Sequence, residues 1–242
     1  MPDQATFRSA PFAINPEMRL KTLEIGHEQN SLILIDDLFD RPEELTAYAK
    51  ATPPFQPVSG DLYPGMRKPL PAAYGDSLLL GIAAVLQNIF NIPPTRRFKT
   101  DFCALSLSTC PPKDLLPIQR IPHFDTCNSN QFAALLYLCP AHHGGTSFYR
   151  HRSTAFEAIP KKRAIIYAKA LEQEAETTGL PGPYYINGDT ALFERTASIG
   201  AQYNRLVIYR SNLLHSGNIQ PEHGLSDNPE HGRLTANCFI TF

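Results

Sequence analysis

The sequence predicts an α+β protein with a closed or double-sheet β core and helices packed on its outside. Three observations predict it. The N-terminal third carries segments of helical period, residues 99–242 break into short strand-like runs between turn signals, and one long helical segment interrupts that series.

The stretch before residue 31 is polar, and a loosely held terminus is expected there. The apolar run Leu32-Ile33-Leu34-Ile35 predicts a buried strand over residues 31–36. Asp40-Arg41-Pro42-Glu43-Glu44 offers an N-cap candidate, a first-turn proline and acids where the helix dipole favours them, so a helix is expected to about residue 51. Residues 52–71 are rich in Pro and Gly and read as a loop; ordered loops of that length are uncommon unless functional, which draws attention to Asp61, Tyr63 and Arg67. After Asp76, Leu78, Ile82, Val85, Leu86 and Ile89 share one helical face, and Pro93-Pro94 ends a helix expected to pack on a sheet. Strands are then expected at 99–108, 119–125, 131–139, 146–150, 190–197, 205–210, 213–218 and 233–242. The interrupting helix, 160–176, stops at Gly179-Leu180-Pro181-Gly182, and its Glu172, Glu174 and Glu176 read as a solvated face.

At 242 residues nothing demands more than one domain: 1–242 is expected as a unit, with 1–95 as support region, 96–242 as β core and 154–188 inserted in it. The 22 basic and 23 acidic residues are intermixed, so no basic field points to nucleic acid or a membrane surface as partner. Residues 1–16 lack the basic and apolar regions of a signal peptide, and no run approaches the roughly 20 apolar residues of a spanning helix, so a cytoplasmic location is expected. Five cysteines, odd in number and without a Cys-x-x-Cys pair, argue for buried thiols rather than a disulfide framework or a thiolate zinc site.

Chemistry concentrates in Arg120-Ile121-Pro122-His123-Phe124-Asp125. On a strand, residues two apart share a face, so His123 and Asp125 can grip one metal ion, with His215 as a third ligand. Two imidazoles and one carboxylate with open positions beside them suit non-haem Fe(II). His142-His143 reads as an exposed turn, His151 as a charged turn between Arg150 and Arg152, and His223 and His231 as solvated loop residues.

Residues 95–242 resemble the prolyl-hydroxylase-like 2-oxoglutarate/Fe(II) oxygenases. The likeness is carried by His123-Phe124-Asp125, Leu135-Leu136-Tyr137-Leu138, Gly144-Gly145-Thr146-Ser147-Phe148, Arg205-Leu206-Val207-Ile208-Tyr209 followed by Leu214-His215-Ser216-Gly217, and Arg233-Leu234-Thr235. It implies a double-stranded β-helix (jelly roll, cupin-like) core with the N-terminal helices packed on its major sheet and a helical insertion. It also implies Fe(II) on His123, Asp125 and His215, with 2-oxoglutarate and O2 as cosubstrates and a guanidinium for the distal carboxylate. Arg233 is the candidate, 18 residues after His215, with Thr235 and Tyr137 adding hydroxyls; Arg205 and Arg210 are its rivals. The expected reaction is hydroxylation of a small polar molecule with release of succinate and CO2, and Arg67, Tyr63 and Arg150 are candidate substrate contacts. A protein side-chain hydroxylase, a 2-oxoglutarate-independent cupin enzyme and a non-enzymatic ligand-binding barrel are the alternatives. The 154–188 insertion is a candidate lid or homodimer contact.

Overall fold

The computed structural model describes residues 11–58, 62–179 and 181–242. Asp61, Leu180 and the first ten residues lie outside them. Among the described residues, strands form two antiparallel sheets in a mixed α+β arrangement. The larger runs β1 (Arg19–Ile25), β2 (Asn30–Asp36), β8 (Arg205–Arg210), β5 (Gln131–Tyr137), β10 (Leu234–Thr241), β4 (Lys99–Ser108), β3 (Gly65–Pro69). The smaller runs β7 (Phe193–Ile199), β6 (Thr146–His151), β9 (His215–Gly217), and one bridge sets His123 beside His215.

From β4 onward the chain passes repeatedly between the sheets, and β5, β6 and β8, covered on both faces, are buried along most of their length. Ala133, Tyr137, Val207 and Tyr209 of the large sheet meet Phe148 and Ile199 of the small one in a shared core. The other face of the large sheet is covered by α1 (Glu43–Lys50) and α2 (Ala72–Ile89). By length and composition alone α2 could cross a bilayer. It instead packs Tyr74, Leu78, Ile82 and Leu86, all 0% exposed and spaced four apart, against Leu105, Leu136 and Ile208.

Several expectations are corrected. The N-terminal stretch forms β1, an edge strand whose first four residues are exposed and therefore carry no buried alternation. The supposed loop over 52–71 contains β3. There Lys68 is fully buried and donates to the carbonyls of Tyr48 and Ala51 at 2.5 Å each, capping the C-terminus of α1. Residues 119–125 are not a strand: a 3₁₀ turn spans Pro117–Arg120, and Pro117 and Pro122 remove the donors a ladder needs. Cys103 and Cys238, 135 residues apart, face each other in the β4/β10 register and are joined as a disulfide, leaving Cys110, Cys127 and Cys139 free. His143 is buried and meets the Gly232 carbonyl. His151 is also buried, between Thr154 and Glu174 (2.7 Å), so Glu174 ties the inserted helix α3 (Lys161–Thr178) to β6.

Arg205 grips Asp36 with Nε and Nη2, at 2.5 and 3.0 Å, locking β8 to β2. The Arg205 hydrogen bonds hold the Asp36 carboxyl below its ordinary pKa. A depressed acid stabilises the fold above its unfolded value, about 4, and loses that contribution as pH falls through its folded value. Asp36→Asn should therefore cost about 1 kcal/mol at pH 7, a partly exposed pair being worth little more, and the deficit should shrink below about pH 4 in thermal melts.

Candidate metal centre

Each of the three candidate ligands is positioned by different local structure. His215 opens β9 and lies between Phe148 of β6 and the bridged His123, with backbone hydrogen bonds of 2.9 and 2.8 Å to the latter. Asp125 follows on the same irregular segment, pinned by its N–H to the Ser211 carbonyl at 2.8 Å. One bridge and one backbone bond thus do what a full strand was expected to do.

The ligand atoms of His123, Asp125 and His215 all lie within 4.8 Å of one another. Both Nε2 atoms sit 3.9 Å from an Asp125 oxygen, His123 from Oδ1 and His215 from Oδ2. That distance is too long for a hydrogen bond. It leaves these lone pairs unused, and a modest closing of the three side chains would bring them onto one divalent ion roughly 2.1 Å from each, the distance that zinc ligands take. His215 Nδ1 lies 2.8 Å from the Leu213 carbonyl, which can only accept, so Nδ1 carries the proton and Nε2 is left as the donor atom. Desolvation in the cavity brings both imidazoles down to about 4, for the buried His215 most plainly and for His123, whose side chain is 50% exposed, with help from His215, so both are neutral at pH 7. Burial also raises Asp125 to about 6, against the pull of His123 and Arg67. A carboxylate in that hollow calls for a cation, and the donor set fits Fe(II) or a similar ion.

The triad lies in a cavity of about 610 Å³ that Arg233, Thr235, Tyr63 and Arg67 also line. Arg233 is 2% exposed; its Nε and Nη2 donate to the Gly144 and Gly145 carbonyls at 3.2 and 2.9 Å. Gly144 has φ +84°, and a Cβ there would lie 1.6 Å from the Asn218 carbonyl oxygen, so only glycine makes the turn that holds the guanidinium. Among the described residues no carboxylate pairs with Arg233, which leaves a buried cation suited to an anionic ligand.

The rivals are elsewhere: Arg205 is on Asp36, and Arg210 stacks over Phe90, Phe132 and Phe242. Tyr137 is one step removed from the cavity, its hydroxyl bonded at 2.6 Å to that of the lining residue Thr146. Arg150 is not among the lining residues; it meets the Ala155 carbonyl and Glu194. Thr146, Tyr185, Tyr209 and Asn237 line the cavity without having been anticipated. The alternation that placed Thr235 would also have placed Asn237, two residues on. Tyr185, brought in by the insertion and bonded to the Cys110 carbonyl, had no sequence signal.

Comparison with known proteins adds the following. The sequence profile of DUF6445, a family of unknown function, matches residues 16–240. Among curated proteins, no sequence matches the chain. Similar solved structures include SnoN, a non-haem alpha-ketoglutarate-dependent epimerase from nogalamycin biosynthesis, with TM-score 0.49 and 13% identity over 89% of this chain and 79% of that one. HygX from Streptomyces hygroscopicus, with nickel and 2-oxoglutarate bound, gives 0.48 and 13% over 88% and 84%. An N-substituted L-amino acid dioxygenase from Burkholderia ambifaria AMMD gives 0.40 and 13% over 92% and 93%.

Proposed function

We propose that this chain, which belongs to the DUF6445 family, is a non-haem Fe(II)/2-oxoglutarate-dependent dioxygenase on a double-stranded β-helix. The alternation of strands between two sheets supports the jelly-roll reading. The observation that carries the activity is the buried Arg233 guanidinium, without a carboxylate partner among the described residues, in the same cavity as a two-histidine, one-carboxylate cluster. His123 and His215 would bind the metal through Nε2 and Asp125 through its carboxylate, and the bound iron would supply the redox chemistry with O2. Arg233 would hold the distal carboxylate of 2-oxoglutarate, with the Thr235 hydroxyl on the same strand face beside it. One oxygen atom of O2 enters the product as hydroxyl and the other enters succinate, with loss of CO2.

Purified protein given Fe(II), ascorbate and 2-oxoglutarate should release succinate in a metal-dependent manner even without primary substrate, at a slow uncoupled rate. Protein that demonstrably binds the metal yet forms no succinate would overturn the reading.

A further inference from the structure

Tyr209 of β8 lines the cavity and is 2% exposed, yet among the described residues no hydrogen bond engages its hydroxyl. The hydroxyls of Tyr74 and Tyr167 also lack a partner, but they are sealed inside the protein. That of Tyr209 is not sealed, so it faces the cavity that the residue lines. Polar groups this deep in a protein are normally paired, and a phenol without a partner at a cavity wall is a donor available to a ligand.

The strand registers fix which end of the cavity it serves. Thr235 of β10 lies opposite Tyr137 of β5, and Tyr137 opposite Arg205 of β8. Four residues along each strand, and so on the same face, Phe239 lies opposite Ala133 and Ala133 opposite Tyr209. The first row adjoins Arg233, which immediately precedes β10. The second adjoins the metal ligands, for the Tyr209 ring lies 4.8 Å from that of His215 and 5.0 Å from that of Phe148, centroid to centroid. Burial raises the Tyr209 pKa well above its ordinary value; Asp125 and Tyr137 add to the rise and Arg233 opposes it. The hydroxyl is thus within electrostatic reach of both the metal-ligand carboxylate and the guanidinium. Tyr137, whose hydroxyl was expected in the cavity, is engaged with Thr146 at 2.6 Å instead.

We propose that Tyr209 is a cosubstrate contact at the metal end of the cavity, its hydroxyl donating a hydrogen bond to the metal-bound carboxylate of the 2-oxo acid while Arg233 holds the distal one. The proposal rests on the oxygenase reading for the identity of the ligand. The tyrosine hydroxyl expected from β5 comes from β8, and it serves the opposite end of the same molecule.

The test is calorimetric titration of the full-length Ni(II)-loaded protein with 2-oxoglutarate and with oxalate. Oxalate keeps two adjacent oxygen donors for the metal and has no distal carboxylate for Arg233. Tyr209→Phe should weaken both ligands by at least about tenfold, the ratio a hydrogen bond to a charged group provides. Arg233→Met should weaken 2-oxoglutarate and leave oxalate within about threefold of wild type. Because Tyr209→Phe keeps the ring on His215 and removes a hydroxyl without a protein partner, Ni(II) affinity should stay within about threefold and the apo melting temperature within about 2 °C. Those two readouts separate a lost ligand contact from a disturbed fold or metal site. Affinities for both ligands unchanged in Tyr209→Phe, a loss confined to 2-oxoglutarate, a matching loss of Ni(II) affinity, or wild-type protein that binds 2-oxoglutarate but not oxalate would each overturn the proposal. Wild-type protein that binds Ni(II) but no 2-oxoglutarate would overturn the oxygenase reading and the proposal together, whereas 2-oxoglutarate binding that Tyr209→Phe leaves intact removes the proposal alone.

Discussion

Asp125→Ala should remove metal-dependent succinate formation, a loss of at least about 10³-fold, while the apo protein melts within about 2 °C of wild type. Asp125 is the only carboxylate in the cluster, and each of its oxygens faces one imidazole Nε2 at 3.9 Å. Without it, two neutral histidines must hold a dication with no compensating charge, and affinity falls with them. The fold has less to lose. The backbone N–H that pins the segment to Ser211 survives the substitution, and among the described residues the missing side chain makes no short hydrogen bond. Burial already disfavours the ionised carboxylate, so removing it takes away a cost from the metal-free protein. Paired melts with and without Mn(II), alongside succinate release, separate the two effects: wild type should gain stability from the metal and Asp125→Ala should not. An apo melting temperature reduced by 10 °C or more would make Asp125 a structural residue and undo the assignment.

The candidate pair His123 and Asp125 is legible in the sequence for a reason that does not depend on its element. The spacing of His123 and Asp125 predicts strand alternation, and the chain instead makes a 3₁₀ turn before them and a lone bridge at His123. A lone bridge is enough to set both side chains on one cavity, so their juxtaposition does not need the expected strand. Strands with a buried face were legible: β4 and β8 lie where their runs placed them. Strands at the edges were not, because β1 carries exposed charge and β3 lies among prolines, the composition that keeps edges from pairing further. Pairings between distant segments were beyond the sequence for a different reason. Cys103 with Cys238, and His151 with Glu174, exist only once register and the docking of the insertion are set, and neither leaves a local pattern.

The Arg233→Met variant separates a cosubstrate anchor from a structural arginine, because the two roles predict opposite outcomes. A structural arginine would be missed by the apo protein: the Gly144 and Gly145 carbonyls lose their donors, at about 1 kcal/mol each. A cosubstrate anchor leaves an apo protein with a buried guanidinium that no described carboxylate neutralises, and relief of that charge offsets the lost bonds. Apo stability should therefore change little, and the effect should appear in ligand binding. Loss of a bidentate carboxylate contact, worth about 3 kcal/mol, weakens 2-oxoglutarate by roughly 100-fold. At a cosubstrate concentration near 100 times the wild-type Kd, linkage stabilises wild type by about 2.7 kcal/mol and the variant by about 0.4 kcal/mol. For a chain of this length those correspond to shifts of about 5–10 °C and about 1 °C. Arg233→Lys, which keeps the charge and loses the fork, should fall between them. If Arg233→Met lowers the apo melting temperature and leaves the cosubstrate-linked shift intact, the guanidinium serves the Gly144-Gly145 turn alone, and the distal carboxylate must be held elsewhere in the cavity, with Arg67 the first residue to test.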